Sequence, residues 1–191
     1  MKVLLAAVNA KFIHSNLAVR YLRAYTEDVD YDCRLMEFSI NDRKEKVLET
    51  LVIEKPDVVA FSCYIWNIEY VKYLSSLIRL VCPECIIMYG GPEVSFDSEE
   101  FLSANAGDFV IEGEGEETYR ELILKLLGLG IKRENITDNI RELTITGLYT
   151  KADGRIHYGG KREFMNMERI AFPYDEFSDM ENKIVYYEAS R

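Results

Sequence analysis

The chain has 191 residues, 48% hydrophobic and 29% charged, with 23 Lys and Arg against 33 Asp and Glu for a formal net charge of −10. That length carries one α/β domain plus a small appendage, and an acidic chain without a basic run argues against a dedicated nucleic-acid surface. No apolar stretch approaches the roughly 18 residues a membrane span needs, and the N-terminal apolar run is too short for a signal peptide, so a cytoplasmic location with four reduced cysteines is expected.

Residues 3–8 form a continuous apolar run that reads as a first strand. Ser15 is a plausible N-cap for the helix that follows, with Leu17, Ala18, Tyr21, Leu22 and Tyr25 at helical spacing. Residues 32–38 are a weaker strand, and Val47, Leu48, Leu51 and Val52 mark a second helix. Pro56-Asp57 ends that connection, and residues 58–62 are the third strand. Asn67 can cap a third helix whose buried stripe is Ile68, Val71, Leu74, Ile78 and Val81. Strands over 86–89 and 109–112 bracket a short helix near 98–104, and Tyr119, Leu122, Ile123, Leu126 and Leu127 mark a last amphipathic helix.

Strands that are apolar on both faces and alternate with helices imply a parallel sheet covered on both sides. The predicted fold is therefore α/β, a doubly wound Rossmann-like or flavodoxin-like sheet of five parallel strands. Residues 1–130 would form that domain. Residues 131–191 would form a connector, with a β-hairpin over 147–158 turning at Asp153-Gly154. The strand-like run 183–191, with no polar tail after it, predicts that the chain is a fragment. Ligands of such sheets bind at the C-terminal strand edge, which here carries the loops 9–16, 39–41, 62–67, 90–95 and 112–116.

The motifs narrow the chemistry. The first loop, Asn9-Ala10-Lys11-Phe12-Ile13-His14-Ser15-Asn16, holds no glycine, which removes the dinucleotide fingerprint, and no P-loop occurs. Gly113-Glu114-Gly115 is flanked by carboxylates that would repel a pyrophosphate. Ser62 and Asn9 stand where a phosphoacceptor receiver would need acids, and the first loop lacks the hydroxyl-rich character of a flavin phosphate loop. Cys82-Pro83-Glu84-Cys85 is a C-x-x-C without a second pair, at the edge opposite the ligand loops, and reads as two ordinary thiols. Cys33 and Cys63 read as core, and His157 as a solvated hairpin residue. His14 lies on the first ligand loop, and Trp66 is either an apolar wall for a flat ligand or a core anchor. The acidic cluster Glu112, Glu114, Glu116 and Glu117 suits the start of the last helix, and no nucleophile–base pair is visible.

Three segments in order resemble the N-terminal cobalamin-binding domain of B12-dependent radical SAM proteins. They are Val59-Ala60-Phe61-Ser62-Cys63-Tyr64, Ile87-Met88-Tyr89-Gly90-Gly91-Pro92-Glu93 and the turn Glu112-Gly113-Glu114-Gly115-Glu116 that closes the last strand. Phe172-Pro173-Tyr174 and the run from Tyr186 to Arg191 resemble the connector that leads into that family's radical SAM barrel.

The resemblance implies a cobalamin-binding domain of a radical SAM enzyme, possibly a methyltransferase, with its own C-terminal barrel and a corrinoid as partners. The [4Fe-4S] cluster and S-adenosylmethionine would belong to the full-length protein only, and the fragment alone would not catalyse. The implied contacts are Asn9, His14, Ser15, Asn16, Ser62, Tyr64, Trp66, Gly90, Gly91, Pro92, Glu112, Gly113, Glu114 and Gly115, with Ser62 beside the dimethylbenzimidazole tail and Gly90-Gly91 giving it room. The family's D-x-H-x-x-G loop is altered here: Phe12-Ile13-His14-Ser15-Asn16-Leu17 keeps the histidine but neither the aspartate nor the glycine, so no protein histidine on cobalt is expected. The alternative is a B12-type fold that has lost cobalamin and serves as a structural or interaction module.

Overall fold

The computed structural model describes residues 1–174 and 180–188. Seven strands form one sheet: β1 (Lys2–Asn9), β2 (Asp32–Ser39), β3 (Val58–Ser62), β4 (Ile86–Gly90), β5 (Phe109–Ile111), β6 (Leu148–Ala152) and β7 (Arg155–Tyr158). Their order is β2-β1-β3-β4-β5-β6-β7. The first five pair in parallel, whereas β5–β6 and β6–β7 are antiparallel.

The sheet is thus mixed and two strands wider than the five-stranded parallel sheet expected. The reason lies in β6, whose residues alternate between buried and half-buried and suit a place beside β5. Asp153 (φ +52°) and Gly154 (φ +68°) make a two-residue turn with both centres left-handed, so β7 folds back directly onto β6.

Among the described residues six α-helices cover the sheet: α1 (Leu17–Tyr25), α2 (Lys44–Ile53), α3 (Ile68–Val81), α4 (Pro92–Ser95), α5 (Ser98–Ala104) and α6 (Glu116–Gly128). The period-2 alternation of β1 divides the core. Val3, Leu5 and Ala7 face α1 and α6, while Leu4, Ala6 and Val8 face the side of α2, α3 and α5. Because β1 feeds α1 on one face and β3 feeds α3 on the other, the chain reverses direction between β1 and β3. The C-terminal edge between β1 and β3 is therefore the switch point of a doubly wound sheet, where ligands of such sheets bind.

Two capping expectations change. Asn16, not Ser15, caps α1: its Oδ1 accepts the Val19 amide at 3.2 Å. Asn67 occupies the N-cap position of α3, but its side chain does not cap. Within 183–188 the described residues show one β-bridge, Ile184 beside His14, where a terminal strand was expected; residues 189–191 lie outside the described residues.

Candidate functional site

Strand register brings the expected residues into one row. Ser39 lies opposite Asn9, Ala7 opposite Ser62, Ser62 opposite Gly90, and Gly90 opposite Ile111. Asn9 and Ser62 therefore flank the switch point, with Gly90 one strand further along.

An amide network holds this edge. Asn67, fully buried, donates from Nδ2 to the carbonyls of Val8 (3.0 Å) and Ser62 (2.9 Å), and its Oδ1 accepts the Tyr64 amide at 2.8 Å. It ties the ends of β1 and β3 together from beneath. Asn9 Nδ2 donates to the His14 carbonyl at 2.9 Å, which closes the first loop on itself. Asn16 Nδ2 donates to Ser62 Oγ at 3.1 Å, across the switch point.

The two glycines do different things. A Cβ on Gly90 would meet only Ile111, at 3.8 Å and beyond, which is ordinary contact. A Cβ on Gly91 would sit 2.5 Å from the Cys63 carbonyl oxygen, and its φ of +115° is left-handed. Gly91 is required by the packing of the β4–α4 turn against the β3–α3 loop, which the bonds Cys63 N to Gly90 O (2.7 Å) and Glu93 N to Cys63 O (3.3 Å) fasten. Gly90, by contrast, has room for a Cβ at ordinary contact distance. Pro92 starts α4, where its missing N–H costs nothing.

Apolar surface rims this edge. Tyr64 and Trp66 stack with ring centroids 4.5 Å apart, and Phe12, Ile65, Trp66 and Phe96 are exposed. Trp66 is therefore part of the surface and not a core anchor. An exposed aromatic and aliphatic group on loops at one sheet edge marks a surface built to be covered.

The other expected residues hold the chain that follows the sheet. Glu114 accepts the Met165 amide at 2.7 Å, Glu112 accepts the Tyr158 hydroxyl, and its amide bonds Gly147 O at 2.9 Å. Gly113 (φ +68°) takes a left-handed turn, its amide donating to Ser95 Oγ at 3.2 Å, and Gly115 stands at the N-cap of α6. Arg162 reaches Glu121 (2.6 Å) and Thr118 (2.8 Å), and Arg169 reaches Glu117 (2.9 Å). Further on, Ile184 N donates to Ile13 O at 2.7 Å, Ser15 Oγ donates to Ile184 O at 3.0 Å, and His14 Nδ1 bonds the Tyr186 hydroxyl.

Glu37, Arg20 and Lys183 escaped the sequence reading as site residues, and Asn67 was expected only as a helix cap. Glu37 lies under the first loop with its side chain 7% exposed, and accepts Arg20 at 2.7 Å and Lys183 at 3.0 Å. Burial works against its ionisation, but the Asn16 amide, Arg20 and Lys183 outweigh it and hold the carboxyl below its ordinary range. The one signal was a lone carboxylate in the more apolar half of β2.

The cysteines carry no reactive signature. All four are free; Cys82 ends α3 and Cys85 precedes β4, at the opposite edge of the sheet. Burial pushes the Cys63 and Cys85 thiols up to about 12, so both stay protonated. No group of His, Cys, Asp and Glu among the described residues is placed to hold a metal ion. A hollow of about 500 Å³ at that edge is lined by Arg79, Arg133, Lys151 and Asp108. Its cations are spent on Asp108 and on the carbonyls of residues 83, 85, 102, 103, 105 and 106, so it is a structural junction.

The chain matches the B12 binding domain family over residues 3–123. The 2-(S-pantetheinyl)-carbapenam-3-carboxylate methyltransferase of Streptantibioticus cattleyicolor is 30% identical over 117 residues, 58% of this chain and 17% of that protein. The cobalamin-dependent radical SAM methyltransferase TokK of Streptomyces tokunonensis is 35% identical over 72 residues, 37% of this chain and 11% of that protein.

Two solved structures share the fold. The cobalamin-dependent S-adenosylmethionine radical enzyme OxsB, with aqua-cobalamin and S-adenosylmethionine bound, superposes with a TM-score of 0.67 at 19% identity, covering 87% of this chain and 23% of OxsB. The radical S-adenosylmethionine methyltransferase TsrM of Kitasatospora setae, with cobalamin and a [4Fe-4S] cluster bound, gives 0.67 at 16% identity, covering 91% of this chain and 31% of TsrM. The chain therefore spans less than a third of the length of each of these relatives. With its first five strands in the order 2-1-3-4-5, a switch point between β1 and β3 and a family match over residues 3–123, the chain belongs to the B12-binding domain family.

Proposed function

We propose that this chain binds cobalamin at the C-terminal edge of its sheet, as the cofactor domain of a cobalamin-dependent radical SAM enzyme of the methyltransferase kind. In this reading residues 1–130 are the cofactor domain and residues 131–191 lead to a separate barrel that holds the [4Fe-4S] cluster and S-adenosylmethionine. Its setting would be cytoplasmic, where the four cysteines would stay reduced.

The observation that carries the reading is the pairing of Ser62 with Gly90 at the switch point. Ser62, a residue only 5% exposed, stands directly opposite a position that carries no side chain. That is a donor next to a slot, and it suits a long polar appendage better than it suits a packed core. The stacked Tyr64–Trp66 pair and the exposed Phe12 and Ile65 suit a broad, largely apolar ring system above it.

When bound, cobalamin supplies a cobalt centre that can carry a methyl group. The chain's own residues bind and orient. Ser62 donates to the buried appendage, Gly90 admits it, and the Tyr64–Trp66 wall and Phe12 exclude water from the ring. Because the first loop lacks the aspartate that would orient His14, no protein imidazole would hold the cobalt in this reading.

Trp66 is the only tryptophan and lies half-exposed on this rim, so it reports on the site. Titration with hydroxocobalamin should quench its fluorescence saturably, in the micromolar range or below. Quenching that rises linearly with cobalamin, as simple inner-filter absorption does, would contradict the reading and favour a structural module.

A further inference from the structure

We propose that Glu37 is a positioning residue for the ligand-facing hydroxyl of Ser62, acting through Asn16. The proposal rests on the cobalamin reading above and deepens it.

Glu37 accepts donors from the end of β1, the first loop, α1 and the chain after the sheet. These are Asn9 Nδ2 at 3.3 Å, the Asn16 amide, Arg20 at 2.7 Å and Lys183 at 3.0 Å. A carboxylate this buried is costly unless its oxygens are satisfied, and two cations and two amides satisfy it. The result is a rigid post under the first loop. Lys183 extends it to the segment that crosses this edge, where Ile184 pairs with the Ile13 and Ser15 positions.

The post sets the orientation of Asn16. Glu37 holds its backbone amide, and the Val19 amide claims its Oδ1 at 3.2 Å. The side-chain amide cannot flip without placing its NH2 against the Val19 N–H. Its Nδ2 must therefore face outward, to Ser62 Oγ at 3.1 Å. Ser62 is thereby fixed as the acceptor in that bond. Its own proton has no acceptor among the described residues and is free for a ligand group beside Gly90. In a loop without the D-x-H-x-x-G pattern, a carboxylate contributed by β2 performs the orienting from below.

The test is a double-mutant cycle on hydroxocobalamin affinity, read by the corrinoid absorbance shift, with Glu37→Gln, Ser62→Ala and the double variant of the full chain. Each single change should weaken binding about tenfold, the effect of one lost hydrogen bond to a ligand, and the double variant should again lose about tenfold, not a hundredfold. A second variant, Asn16→Ser, keeps a capping oxygen but removes the donor to Ser62, and should match Ser62→Ala in affinity while keeping most of the stability. Multiplying losses in the cycle, wild-type affinity in Glu37→Gln or Asn16→Ser, or a Glu37→Gln chain that does not fold would each overturn the proposal and leave Glu37 a purely structural residue. Failure of the wild-type chain to bind at all would instead overturn the cobalamin reading beneath it.

Discussion

Glu37 is a buried acid whose charge is stabilised by fixed neighbours, and this has a measurable consequence. Its carboxyl titrates below the ordinary value of 4.5 because the Asn16 amide, Arg20 and Lys183 outweigh the effect of burial. A depressed folded pKa adds stability that is complete above the unfolded value and is lost as pH falls through the folded one. Wild type should therefore exceed Glu37→Gln in urea stability by about 2 kcal/mol at neutral pH, and the gap should shrink progressively below about pH 4.5. A gap constant from pH 7 to pH 3 would show that the charge is not what Glu37 contributes. The residue was hard to find from sequence because its partners are Arg20 on α1 and Lys183 far along the chain, and only the parallel pairing of β1 with β2 brings it under the first loop.

The β4–α4 turn shows how adjacent identical residues divide their tasks. Gly90 ends the strand with room for a Cβ, while Gly91 turns the chain against the Cys63 carbonyl with a left-handed φ. Gly91→Ala should cost about 2 kcal/mol or more from strain and collision, whereas Gly90→Ala should change urea stability by less than about 1 kcal/mol. Equal losses at the two positions would remove the distinction on which the slot beside Ser62 depends. The sequence marked both glycines as ligand-facing, because a turn packed on backbone and an open strand end read alike in one dimension. Apart from α4, the helices and strands up to residue 128 were legible from apolar periodicity, since each buries a regular face. The cap of α1 was missed by one residue, as Ser15 and Asn16 are both good capping types and only the fold shows Asn16 accepting the Val19 amide while Ser15 turns to Ile184. The short helix α4 fell below the length at which periodicity speaks.

Taken together, the fold puts a polar switch point, a strand-end glycine and an apolar rim on one edge, and puts the thiols and the cation-lined hollow on the other. The doubly wound core was readable because its strands are apolar on both faces. The sixth and seventh strands were readable as strands but not as members of the same sheet, because pairing of β6 with β5 depends on the turns over residues 131–145 that return the chain to that edge. The residues that follow cross back over the first loop through Lys183, Ile184 and Tyr186, so the proposed cofactor edge and the chain leaving it form one packed unit. Equilibrium dialysis against hydroxocobalamin, with wild type beside Gly90→Leu, tests this arrangement most directly. One corrinoid retained per wild-type chain, and a loss of at least tenfold in affinity for a Gly90→Leu chain that still unfolds cooperatively, is the predicted result. No retention by wild type at high micromolar concentration, or undiminished retention by Gly90→Leu, would contradict a cobalamin seated beside Ser62.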